Sequence, residues 1–166
     1  MRRALKQRVG RRQLIALETE LLAELRAVKR RVPHLAGGLV ASVDGLLVAH
    51  DTHGTEPSGL AAMTAASLSL AQRLADTTGQ GEFRESVVRG EHGYVATYAA
   101  GGSCVLTLLA HPDVNVGRLH LEARRCARRI ADLLNDALAP KDPRDLGRPV
   151  PSTVPPRPNT PPSNGS

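Results

Sequence analysis

Aromatic side chains are almost missing from this sequence. Phe83, Tyr94 and Tyr98 are its only rings, 2% of the chain, and there is no tryptophan. Proteins that hold single-stranded nucleic acid stack bases on aromatic platforms, so that mode of recognition is argued against at once. Cysteine is equally scarce. Cys104 and Cys126 stand far apart in apolar or helical sequence, unlike the dense frameworks of small secreted domains, and read as buried thiols in a reducing compartment. A long apolar run is also lacking. His92 to Pro112 is free of acidic and basic charge but is broken by Gly101-Gly102, two tyrosines and several hydroxyls, which suits two strands and a turn rather than a membrane span. The start "MRRALKQRVGRR" is basic, yet "QLIALETELLAEL" brings glutamates where the apolar part of a signal peptide would follow. A soluble, cytoplasmic protein is expected.

Acidic residues are missing from one further place. Arg2, Arg3, Lys6, Arg8, Arg11 and Arg12 have no acid among them, and these six charges equal the net charge of +6 for the whole chain. Everything from Gln13 onward is neutral overall. The chain therefore divides into a basic disordered arm (1–12), a folded domain (13–138) and a tail (139–166) that holds nine of the twelve prolines. That tail has too little apolar surface to offset its ordering entropy, so disorder is expected, with "PPRP" and "PNTP" as chance-level PxxP spacings. The arm could touch nucleic acid or anionic lipid, but a solvated terminus is the plainer reading.

Between the arms the periodicity predicts an ordered series of elements. Leu14, Leu17, Leu21, Leu25 and Val28 recur at helical steps from Gln13 to Arg31, with glutamates early and basic residues late, and Pro33 stops the helix. "LAGGLVASVDGLLVAH" reads as a hairpin turning at Asp44-Gly45. A second helix is expected from Ser58, its candidate N-cap, to Thr78. "EFRESVVRG", "YVATYA" and "SCVLTLLA" predict three strands, and Val116 to Leu138 a third helix with Leu119, Ala123, Cys126, Ile130, Leu133 and Ala137 on one face. Cys104, Leu106 and Leu108 alternate with Val105 and Leu109, so this strand should be covered on both faces. The order α-β-β-α-β-β-β-α predicts an α+β fold, a five-stranded antiparallel sheet sandwiched by helices.

The middle helix has no charge from Leu60 to Gln72. On a helical wheel Leu60, Met63, Leu70 and Leu74 share a side, assigned to the sheet. Ala61, Ala62, Ala65, Ala66 and Ser69 lie opposite. Small uncharged side chains let another helix approach closely, and surface helices ordinarily carry polar groups there. This predicts a homodimer interface at Ala61, Ala62, Ala65, Ala66 and Ser69. Outward polarity returns at Gln72, Arg73 and Asp76, the expected partner-facing residues. "FRESVVR" alternates charged and apolar residues and suits a sheet edge, guarded by charge or paired across the dimer.

The element order, "GGLVASVDGLLVAH", the Ala/Ser-rich helix and "ESVVRGEHGYVATYAAGGSCVLTLLAHPDVNVGRL" resemble the Roadblock family, which includes dynein light chains and bacterial MglB-type proteins. The similarity runs over residues 33–134, with the first helix matched by topology. It implies a dimer whose sheets join edge to edge with the middle helices paired on one face. It also implies binding to small Ras-like GTPases, tuning their nucleotide cycle or acting as adaptors, with no chemistry or cofactor of its own. The basic arm and the proline-rich tail lie outside the family pattern.

Signals for an enzyme fail one by one. "LLVAHDTHGTE" places His50, Asp51, His53 and Glu56 close together, but in extended chain positions three apart point to opposite faces, and His92, His111 and His120 are scattered. The stretch reads as a polar loop. "GGSCV" lacks the second glycine of a nucleophile elbow. Gly79-Gln80-Gly81 runs from helix to strand, the reverse of a phosphate-binding turn. Glu82 and Glu85 read as solvated edge carboxylates. Arg73 is the one arginine placed to reach into a partner GTPase, whereas the resemblance implies action by remodelling the GTPase. Arg118, Arg124, Arg125, Arg128 and Arg129 make a basic face on the last helix, read as solvated surface. The function expected is a non-enzymatic dimeric regulator of a small Ras-like GTPase, with an adaptor dimer that leaves hydrolysis unchanged as the alternative.

Overall fold

In a computed structural model the described residues are 11–139. The elements are α1 (Arg11–Arg31), β1 (Leu35–Ser42), β2 (Leu47–Asp51), α2 (Pro57–Thr77), β3 (Glu85–Gly90), β4 (Gly93–Ala100), β5 (Cys104–Ala110) and α3 (Val116–Leu138). The five strands form one antiparallel sheet in the order β2-β1-β5-β4-β3. Its architecture is the α+β sandwich that the sequence predicts. Residues 1–10 of the basic arm and 140–166 of the tail lie outside the described residues. Arg11 and Arg12, assigned above to the arm, are the first turn of α1; arginine is a good helix former and nothing at those positions breaks a helix.

Periodicity explains how the helices are placed. Leu17, Leu21, Leu25 and Val28 recur every three or four residues and are buried, so α1 lies on the sheet along that stripe. Helix α3 buries Leu119, Ala123, Cys126, Ile130 and Leu134 by the same logic. These two helices pack side by side on one face and, with Tyr98, Leu106 and Leu108 of the sheet, enclose the main core. Each fully buried leucine or isoleucine there contributes about 1.5–3 kcal/mol relative to exposure. The opposite face of β5 and β1 supplies Val105, Leu39 and Ala41 to a smaller core under α2. The apolar residues of β5 on both parities are thus used on both faces. One polar pair is buried in that second layer, where Thr107 Oγ1 donates to Thr64 Oγ1 at 3.2 Å.

Both cysteines are buried and free. Burial pushes the Cys104 thiol up to about 11 and the Cys126 thiol up to about 12, so neither is a ready thiolate at neutral pH.

Coverage of the sheet is uneven. Helix α2 packs on β1 and β2. Toward the other edge the register pairs Leu109 with Val95 and Val95 with Val88, which places these three on the α2 side. Val88 is 57% exposed there. The far end of that face has little protein above it.

Candidate interaction platform

The N-terminus of α2 is set by Glu56 and Pro57. Glu56 is the N-cap, accepting from Ser58 N at 2.9 Å and from Gly59 N, and Pro57 occupies the first turn. Ser58 is therefore not the cap: a carboxylate in front of proline reaches two free N–H groups that the proline cannot supply. These backbone hydrogen bonds, first from Gly59 and then from Ser58, hold the Glu56 carboxyl below its ordinary value.

The orientation of α2 reverses the one read from the sequence. Ala61 and Thr64 are buried against the sheet, and Ala65 is half-buried. A Cβ built on Gly45, whose φ is +82°, would lie 3.2 Å from Ala62 Cα and 3.4 Å from Ala65 Cβ. The hairpin turn between β1 and β2 is thus pressed onto the small side of the helix. Leu60 and Leu68 flank this contact. Met63, Leu70 and Leu74, assigned above to the sheet, are instead 64%, 71% and 66% exposed. The small residues let the helix sit low on the sheet and leave the long apolar side chains outside. Ala61 consequently cannot belong to an interface with another chain, and Ala65 is partly used. Ala62, Ala66 and Ser69 remain exposed. The absence of charge on α2 does not by itself say which side of the helix meets the sheet.

Met63, Ala66, Leu70 and Leu74 follow each other at steps of three and four, so they form one outward ridge. Beside it lies the thinly covered strip of Val88 and Val95, bounded by β3, an edge strand of the sheet. Val87 is exposed on that strand as well. Three large apolar side chains in a row next to a sheet edge with free backbone groups are what folded monomers avoid.

The other predicted residues have mixed fates. Gln72 is half-buried and occupied internally: its Oε1 accepts from Phe83 N at 2.8 Å and its Nε2 donates to Asp76 Oδ1 at 2.7 Å. Gln72 thus ties the end of α2 to the segment that leads into β3. Gln72→Ala should destabilise the domain by about 1–2 kcal/mol in urea unfolding, because it strands the partly buried Phe83 amide; an unchanged midpoint would contradict this role. Asp76 is exposed and accepts that bond, and Arg73 is exposed. No signal in the sequence distinguishes these roles.

A cleft of about 1150 Å³ opens beyond Gln72 and includes Phe83, Arg84, Glu85, Tyr98 and Arg124 in its lining. Arg124 donates to both oxygens of Glu85, from Nε at 2.7 Å and Nη2 at 2.6 Å. His120 Nδ1 lies 3.4 Å from Glu85 Oε1 and 3.0 Å from the Tyr98 hydroxyl. Hydrogen bonding to Arg124 holds the Glu85 carboxyl below its ordinary value, against the effect of burial, while burial raises the Tyr98 phenol. One group stays charged and the other neutral near pH 7, so the cluster works as a clamp between β3, β4 and α3. A depressed carboxyl contributes stability that is complete above its unfolded-state value and is lost as pH falls through the folded one. The melting temperature should therefore fall as pH drops below about 5, and Glu85→Gln should lessen that fall. Parallel acid profiles for the two proteins would contradict it.

The His50–Glu56 stretch has internal uses as well. Lys29 Nζ donates to Asp51 Oδ2 at 3.5 Å, His50 Nδ1 lies 3.3 Å from Thr52 Oγ1, and Glu56 caps α2. Among the described residues, no group of three or more His, Cys, Asp or Glu could hold a metal ion. No helix among them is long and apolar enough to cross a membrane.

Known proteins share this fold. The family model of the Roadblock/LC7 domain matches residues 21–110. An uncharacterized protein of Methanocaldococcus jannaschii is 31% identical over 97 residues, which is 58% of this chain and 84% of the relative. The crystal structure of a Roadblock/LC7 domain from Streptomyces avermitilis superposes with a TM-score of 0.63 at 24% identity, covering 68% of this chain and 96% of that one. The gliding protein MglB of Thermus thermophilus gives a TM-score of 0.66 at 22% identity, covering 73% and 93%. At these identities the two structures speak for the fold. The family match spans more than half of the chain, from the middle of α1 to the end of β5. This protein belongs to the Roadblock/LC7 domain family.

Proposed function

We propose that the chain acts as a homodimer that binds a small Ras-like GTPase and biases its nucleotide cycle, with no bond-making step of its own. The exposed Met63–Leu70–Leu74 ridge beside the β3 edge carries this reading. Two copies related by a two-fold axis normal to the sheet would join β3 to β3 and lay each ridge over the other's Val88–Val95 strip. The interface is isologous, so both unmet needs of one protomer are met by the same groups of its twin. The paired α2 helices then form a platform edged by Arg73 and Asp76. Family membership supports the GTPase as occupant, and fold likeness to a gliding protein, MglB, agrees with it.

A binder alters a conformational equilibrium only through unequal affinity for its states. The test uses the small GTPase encoded nearest to this chain, loaded with GDP or with a non-hydrolysable GTP analogue and titrated calorimetrically. At least about tenfold preference for one form is expected, equivalent to about 1.4 kcal/mol. Equal affinities would remove regulation and leave the adaptor reading. No binding to either form would overturn the GTPase reading.

A further inference from the structure

Charge in this domain is segregated by layer. Helices α1 and α3 carry eleven basic and six acidic side chains, a surplus of five. The rest of residues 11–139 carries three basic and eight acidic side chains, a deficit of five. A domain with no net charge therefore has one basic face, opposite the α2 platform. Ion pairing sharpens this bias. Arg125 pairs with Glu122 and Arg124 with Glu85, with the arginine side chains 52% and 57% exposed and the carboxylates 11% and 25%. Arg31 and Arg129 show the same order against Glu122 and Glu24. In each pair the acid is the more deeply buried partner and the arginine side chain the more exposed one. Among the described residues, Arg118 and Arg128 have no acidic partner.

We propose that the α1/α3 face docks on an anionic phospholipid surface. Leu121 is half-exposed in the midst of this face, with Arg118, Arg124 and Arg125 three or four residues away along α3. Apolar side chains set among arginines on a helix lying flat are the pattern of interfacial binding, and each arginine near an anionic leaflet adds to the attraction. Duplex DNA is a poorer fit. Both helices lie flat on the sheet, so neither stands free to enter a groove. In the proposed dimer, paired α2 helices put both α1/α3 faces on the same side, which doubles the basic area and leaves the platform facing away from the bilayer. That doubling rests on the function proposed above, whereas the basic face of one protomer does not.

The test is co-sedimentation of the full-length chain with vesicles of phosphatidylcholine alone and of phosphatidylcholine with about one third phosphatidylglycerol, at physiological salt. Binding only to the anionic vesicles is expected. Arg118→Gln/Arg128→Gln, which breaks no ion pair, should weaken it about 20-fold, and Leu121→Ser should weaken it further. Both effects should persist in a chain lacking residues 1–10. Circular dichroism and the mass of the same samples keep unfolding or loss of pairing distinct from loss of lipid contact. The proposal is overturned by absence of anionic-vesicle binding, by binding indifferent to Arg118 and Arg128, or by binding that vanishes with residues 1–10 alone. It is equally overturned if a duplex oligonucleotide binds the face more tightly than the vesicles do.

Discussion

Leu70→Glu should turn this protein into a folded monomer. Leu70 is 71% exposed in one protomer, so a carboxylate there meets water and disturbs no internal contact. In the proposed pair each copy would cover the other's Leu70, so the position counts twice. Removing two buried leucines forfeits about 4 kcal/mol, or about a thousandfold in dissociation constant, before the cost of burying two like charges is added. The melting curve of the variant should match that of wild-type chain diluted to monomer. Ala65→Glu, an attractive test from the sequence alone, would be misleading: Ala65 is half-buried against the Gly45 turn, and loss of mass there could follow from damage to the fold. An unaltered dimer mass for Leu70→Glu, by light scattering at micromolar concentration, would remove the ridge from the interface.

Gly93→Val should be the most destructive single change in the sheet. Gly93 opens β4 at φ +148°, and a Cβ there would lie 2.1 Å from the carbonyl oxygen of Ala110. A side chain must force β4 away from the end of β5 and also hold a backbone conformation that favours glycine. A cost of about 3–4 kcal/mol follows, lowering the melting temperature by about 10 °C for a domain of this size. Gly102→Ala is the matching control, since nothing lies within 4 Å of its added Cβ. Similar melting temperatures for the two variants would show that β4 can move off the end of β5 at little cost.

The sequence is legible where one physical pattern decides the outcome. Repeats at three and four residues locate α1 and α3, and the double apolar parity of β5 announces a sheet covered on both faces. Asp44-Gly45 marks the hairpin. Patterns mislead where two of them compete. On α2 both faces are uncharged, one with large side chains and one with small, and burial by size argues for leucines inward. Close packing under the Gly45 turn selects the small face instead, a long-range constraint that no local spacing records. Gln72 reads as a partner-facing residue for a similar reason: its hydrogen bond to Phe83 N crosses eleven positions. The clamp of Glu85, Tyr98, His120 and Arg124 joins a strand pair to a helix 39 residues on. The basic face becomes visible only when helices distant in sequence are seen to share one layer.

Sedimentation equilibrium of the wild-type chain most directly tests whether the α2 ridge is covered by a second copy. At micromolar concentration a mass of about 35 kDa is expected, twice the 17.7 kDa of one chain, with loss of that mass in Leu70→Glu. A wild-type species of 17.7 kDa across the same range would contradict it.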